Sequence, residues 1–182
     1  MHRRTGIWAW RCPLLRALLN SGGRLNILFE IPVRVYYQDT DAGGVVFHAA
    51  YLDFLERARM DWLRARGFDA KRLLGRYHLF FIVRKLELAY VKPALLDDLL
   101  VVSAALQKLG HAQLTFEQHV RRDGETLLRG TVNVACVAAG SLKPSPFPEE
   151  IRASLAEEAE AATATTSQLT RTGQPRRHLN RV

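Results

Sequence analysis

The sequence predicts an α+β fold: a curved, antiparallel, five-stranded sheet wrapped around one long central helix. Three observations predict it. A β-branched and aromatic run opens the folded part, an amphipathic stretch with helical spacing follows, and four long strand-like runs joined by short turns come after it. That order, strand, helix, then four strands, leaves one broad apolar sheet face and one apolar helix stripe to cover each other.

The first strand is read over residues 28–38, "LFEIPVRVYYQ", rich in residues that suit a pleated surface. "DTDAGG" then has turn composition. From 48 to 66 the period changes to helical, with Tyr51, Phe54, Leu55, Ala58, Trp62 and Leu63 at spacings of three and four and Gly67 as the expected stop. These nineteen residues would span about 28 Å at about 1.5 Å per residue. The block "FIVRKLELAYV", 81–91, places Leu86, Leu88 and Tyr90 on one face, and Pro93 ends it. Strands over 98–108, 112–120 and 126–138 follow, with Gly110 marking one turn and Asp123-Gly124 a hairpin. These four are expected to form an antiparallel meander. After "KPSPFP", residues 147–159 read as a short acidic helix.

The domain is therefore placed at 28–160, between an N-terminal extension, 1–27, and a basic tail, 161–182, both expected to be disordered. The start "MHRRTGIWAWRCPLLRALL" is basic and then apolar, as a secretory signal is. Arg11, Pro13 and Arg16 interrupt the apolar part, so it reads as an extension. No apolar run reaches the roughly 18 residues of a membrane span.

The net charge is +8, and its distribution decides what it means. Residues 1–31 carry five Arg and one Glu, and residues 161–182 carry four Arg and no acid. The remaining 32–160 carry 17 basic and 17 acidic residues, so the domain itself is neutral. A nucleic-acid reader carries its basic face on the folded part, which argues against that class. Cationic ends fit peripheral contact with an acidic surface instead.

Cys12 and Cys136 have no metal-type spacing and no CxxC partner, and Cys136 sits in a strand-like run as a small core residue. His78, His111 and His119 lie in separate segments and form no ligand pattern, so neither a metal nor a cofactor is expected.

The stretch that carries chemistry is "YYQDTDAGGVVFHAAYLDFLERAR", 36–59. Taken alone, Asp39 and Asp41 read as turn residues bonding their own backbone, and His48 as a helix-start residue. The string as a whole, however, closely resembles the signature of the Tol–Pal-associated acyl-CoA thioesterases. These belong to the hot-dog-fold group that also holds 4-hydroxybenzoyl-CoA thioesterase. "FFIVRKLELAYVKPALLDDLL" and "LKPSPFPEEI" resemble the same family, so the likeness covers about residues 31–152. It implies a hot-dog fold and hydrolysis of acyl-CoA thioesters in the cytoplasm. It further implies a site shared between two subunits of a homo-oligomer, commonly a tetramer built from dimers.

The resemblance carries the catalytic carboxylate over to Asp41 and the assisting histidine to His48. Phe47 stands where family members often have Tyr. Asp41 would act either as a general base on water or as a nucleophile forming a mixed anhydride. Asp39 is assigned to the turn alone. Tyr51, one helical turn after His48, is a candidate for the site wall. Glu56 is a candidate support residue and a possible i,i+3 ion-pair partner of Arg59. Backbone donors for the oxyanion are expected at Phe81, Ile82 and Val83, and contacts to the phosphates of coenzyme A at Arg84, Lys85 and Lys92. The alternatives are a non-catalytic acyl or CoA binder, and an adaptor touching the inner membrane or envelope and lipid-synthesis proteins.

Overall fold

The computed structural model describes residues 15–19 and 25–156, with side chains from Phe29 onward. Cys12 and the tail from 161 lie outside the described residues. Strands β1 (Leu15–Leu19), β2 (Leu25–Arg34), β3 (Leu79–Tyr90), β4 (Leu99–Leu109), β5 (Gln113–Arg122) and β6 (Glu125–Ala138) form one sheet ordered β1-β2-β4-β5-β6-β3. Every pairing is antiparallel. Helices α1 (Ala50–Ala65) and α2 (Ala70–Tyr77) interrupt the strands between β2 and β3. A third helix, α3, occupies 149–156.

The five expected strands are all present around the expected central helix. The connectivity differs in one respect. Only β4, β5 and β6 make a meander; β3 pairs with β6, and β4 returns across the sheet to pair with β2. This leaves β3 as an open edge of the sheet. Within the stretch read as an extension, Leu15–Leu19 runs beside the start of β2, with Leu15 opposite Phe29.

Helix α1 lies on the sheet through the stripe read from its spacing: Tyr51, Phe54, Leu55, Ala58, Trp62 and Leu63 are all buried. Trp62 meets Phe116 of β5 edge-on, with ring centroids 5.0 Å apart. Full burial of a side chain such as Phe54 or Leu55 is worth roughly 1.5–3 kcal/mol, so this stripe fixes the helix on the sheet. Arg59, also buried, breaks the expectation of an ion pair with Glu56. Its Nη1 donates to Gln118 Oε1 at 2.7 Å.

The first strand ends earlier than its sequence suggests, at Arg34. Asp39 Oδ2 accepts the Tyr36 N–H at 2.8 Å and closes a 3-10 turn over Tyr37–Asp39, which takes the two tyrosines out of the sheet. Helix α2 is an addition to the expected layout. Asp69 caps it by accepting the Arg72 N–H at 2.7 Å, and Leu73 anchors it in the core. No described helix is long and apolar enough to cross a membrane.

Candidate active site

The "DTDAGGVVFH" segment folds back on itself. Thr40 and Val46 form a bridge, the Asp41 N–H donates to Val45 O at 3.0 Å, and the Phe47 N–H donates to Asp39 O at 2.8 Å. Asp41 therefore sits at the tip of a tight loop whose root leads into α1. Its two glycines serve it differently. Gly44 adopts φ +75°, and a Cβ on Gly43 would stand 3.0 Å from Asp41 Oδ1. That oxygen accepts the Gly43 N–H at 2.8 Å, while the carboxylate faces outward.

The two aspartates separate by environment. Asp39 is 6% exposed and spends its carboxylate on the Tyr36 N–H. Asp41 is exposed. The geometry thus gives Asp39 turn-forming work and leaves Asp41 available to a ligand.

His48 precedes the helix rather than opening it, because α1 begins at Ala50. Its ring is exposed and touches Phe47, with centroids 4.3 Å apart. No hydrogen bond joins it to Asp41 among the described residues. The head of α1 is uncapped: Ala49 holds the N-cap position without a side-chain acceptor. The N–H groups of His48 and Ala49 donate to no acceptor among the described residues. Free N–H groups at a helix start form a partial positive pole, suited to an anion or a developing oxyanion.

Two tyrosines tie this helix head to the segment following β3. Tyr51 OH accepts the Ala94 N–H at 2.9 Å, and Tyr90 OH donates to His48 O at 2.9 Å. The rings meet edge-on at 5.7 Å. Desolvation pushes both phenols above their ordinary value, so both stay protonated. The Val46 N–H to Ala94 O bond, 2.9 Å, and the Val45–Leu95 bridge complete the join. Tyr90 emerges here as a residue of the site that sequence reading assigned only to a strand face.

The remaining candidates are distributed differently. Phe81, Ile82 and Val83 lie near the start of β3, nine residues before Tyr90 in the case of Phe81, which is about 30 Å at about 3.3 Å per residue. Within one chain that span sets them well away from the Tyr90–His48 join. Phe81 is partly buried against Phe147, whereas Ile82 and Val83 are exposed on the open edge. Among the cations, Lys92 pairs with Glu125, Lys85 with Glu87 at 2.7 Å, and Arg84 lies 3.4 Å from Gln113 Oε1. Glu56 lines a recess of about 790 Å³ between β2 and the outer face of α1, which includes neither Asp41 nor His48. No group of three or more His, Cys, Asp or Glu among the described residues could hold a metal. Cys136 is buried and its thiol is pushed up to about 11 by burial, which makes it an inert core residue.

Comparison with known proteins places the chain in a family. Residues 35–155 match the model of the thioesterase-like superfamily. The chain is 48% identical over 125 residues to the acyl-CoA thioesterase YbgC of Haemophilus influenzae, covering 69% of this chain and 92% of that protein. It is 42% identical over 125 residues to the acyl-CoA thioester hydrolase YbgC of Escherichia coli O6:H1, covering 68% and 92%. The crystal structure of a probable thioesterase from Bartonella henselae superimposes with a TM-score of 0.64 at 35% identity, covering 66% of this chain and 99% of that one. With an antiparallel sheet around its central helix and these relatives over most of its length, the chain belongs to the thioesterase-like superfamily and is a thioesterase of hot-dog fold.

Proposed function

We propose that this protein hydrolyses acyl-CoA thioesters to the free acid and coenzyme A, with Asp41 as the acting carboxylate and His48 assisting. The observation that carries the reading is the pairing of an exposed carboxylate at a loop tip with an uncapped helix head at the root of the same loop. A thioester carbonyl is electrophilic and coenzyme A thiolate leaves readily. The reaction therefore needs a placed nucleophile and donors for the oxyanion more than it needs a strong acid.

Two routes fit Asp41. As a base it takes a proton from water, the hydroxide adds to the carbonyl, and the C–S bond breaks to release thiolate. As a nucleophile it adds to the carbonyl itself, expels thiolate, and leaves an anhydride that water then opens. In both routes we assign the oxyanion to the free N–H groups of His48 and Ala49, in place of the backbone donors expected at Phe81, Ile82 and Val83, which lie far along β3 from this loop in one chain. A positioned base is worth about 10²–10⁴-fold, and a good oxyanion donor about 10²–10³-fold.

The site is completed by a second copy. Ile82, Val83, Leu86 and Tyr90 are between 39% and 50% exposed on β3, an open strand edge that invites pairing. An antiparallel β3–β3 pairing centred between Lys85 and Leu86 sets Phe81 of the second protomer opposite Tyr90 of the first. This brings Phe81, Ile82 and Val83, distant within one chain, toward the helix head to serve the acyl part of the substrate, while Arg84 and Lys85 lie opposite Glu87 and Leu86 nearer the middle of the seam. Lys92 and Tyr51 stand on the near side. The resemblance to Tol–Pal-associated enzymes supports a cytoplasmic setting, with the cationic ends touching the inner membrane or envelope proteins.

Release of free thiol from a panel of acyl-CoAs of graded chain length tests the reading. Turnover of at least one is expected. Binding of acyl-CoA without turnover would instead indicate a non-catalytic binder.

A further inference from the structure

We infer that Tyr90 is a positioning residue for the hydrolytic site, acting through the peptide unit that joins His48 to Ala49. The inference rests on the hydrolase reading above and adds a residue to it.

Tyr90 closes β3, and its hydroxyl donates to His48 O at 2.9 Å across 42 residues of chain. That carbonyl and the Ala49 N–H belong to one planar trans peptide, so they point in opposite directions. Fixing the carbonyl fixes where the N–H aims. The same bond polarises the unit, which strengthens its N–H as a donor. Ala49 offers no side chain that could do this work from within the helix, and its N–H has no acceptor of its own. The head of α1 is thus held from outside, by a phenol on the strand that ends at the sheet edge.

The placement of the ring supports a specific function for the hydroxyl. Tyr90 is 50% exposed in the single chain, so it is the bond to His48 O and the edge-on contact with Tyr51, not the chain's own core, that hold it there. Its ring rests edge-on against Tyr51, which is itself occupied by the Ala94 N–H. Phenylalanine would keep that ring contact and lose only the bond to His48. The Tyr90 hydroxyl is occupied by His48 O, so its assigned part is to set the direction of the Ala49 N–H.

The test compares Tyr90→Phe, Tyr90→Leu and Asp41→Asn with the native protein, measuring acyl-CoA hydrolysis, thermal unfolding and oligomeric size. A positioning role predicts that Tyr90→Phe lowers kcat by about tenfold, less than the loss of a direct oxyanion donor. KM should change less than about twofold, with unfolding temperature and size unchanged. Tyr90→Leu should lose no less, because the hydroxyl and not the ring is responsible. If Tyr90→Phe turns over like the native protein while Asp41→Asn is inactive, the inference is overturned and the hydrolase reading stands. Restoration by Phe of a defect seen in Leu would likewise reduce Tyr90 to a packing residue. A native protein that hydrolyses no acyl-CoA overturns the hydrolase reading first, and this inference with it.

Discussion

Arg59 on α1 donates from Nη1 to Gln118 Oε1 on β5 at 2.7 Å, both side chains buried between helix and sheet. Gln118 Nε2 in turn donates to Leu55 O at 3.0 Å and Ser103 O at 3.2 Å, so one amide joins α1, β4 and β5. Burial lowers the Arg59 pKa to about 10, with Glu56 opposing the shift, and the group remains charged at neutral pH. Gln118→Leu strands that charge. It is expected to lower the unfolding free energy by about 2–3 kcal/mol. The double variant Arg59→Met/Gln118→Leu removes the stranded charge and should recover most of the loss. Urea unfolding at pH 7 checks both, and equal losses in the single and double variants would contradict the link.

The two aspartates of "DTD" should separate experimentally. Asp39→Ala frees the Tyr36 N–H and opens the 3-10 turn, at a cost of about 1–2 kcal/mol in stability. Thermal unfolding measures this, and an unchanged midpoint would remove Asp39 from the turn-forming role.

Gly43→Ala would set a methyl group 3.0 Å from Asp41 Oδ1. The carboxylate must shift, so kcat should fall by about tenfold or more while stability changes by less than about 1 kcal/mol. Steady-state kinetics beside unfolding measurements will show whether the loss is confined to turnover.

Val83 is 48% exposed at the open edge of β3. Val83→Lys places a charge where a second copy would pair, a device that blunts strand edges. Light scattering at micromolar concentration should find the native protein as a dimer or larger assembly and the variant as a smaller species with much-reduced turnover. Full activity from a monomeric variant would contradict the shared site.

Cys136 has a thiol pushed up to about 11 by burial, so the thiolate is scarce at pH 8 and shielded from reagent. In a Cys12→Ser background, DTNB should titrate no thiol in the native protein and one after denaturation. Rapid native labelling would show that β6 opens.

The central architecture was legible because its signals are periodic. The α1 stripe from Tyr51 to Leu63 and the alternation of Leu114, Phe116 and Val120 in β5 both report which face is buried. The placement of β3 was not legible, since its apolar residues match a covered strand and an edge awaiting a second copy equally well. Nor was Arg59: an arginine at helical spacing reads as solvated, and only its contact with Gln118, 59 residues away, places it in the core. The early end of β2 depended on one carboxylate-to-backbone bond at Asp39. The Asp41–His48 loop was recognised through a motif, whereas Tyr90 was legible only as one of a strand face with Leu86 and Leu88, and its reach to His48 O, 42 residues away, leaves no mark in that alternation.

Hydrolysis of a single acyl-CoA by Asp41→Asn, followed as free thiol beside the native protein at matched folding and oligomeric size, bears most directly on the proposed role of the loop-tip carboxylate. A loss of kcat of at least about tenfold is expected. Native turnover in the folded variant would contradict that role.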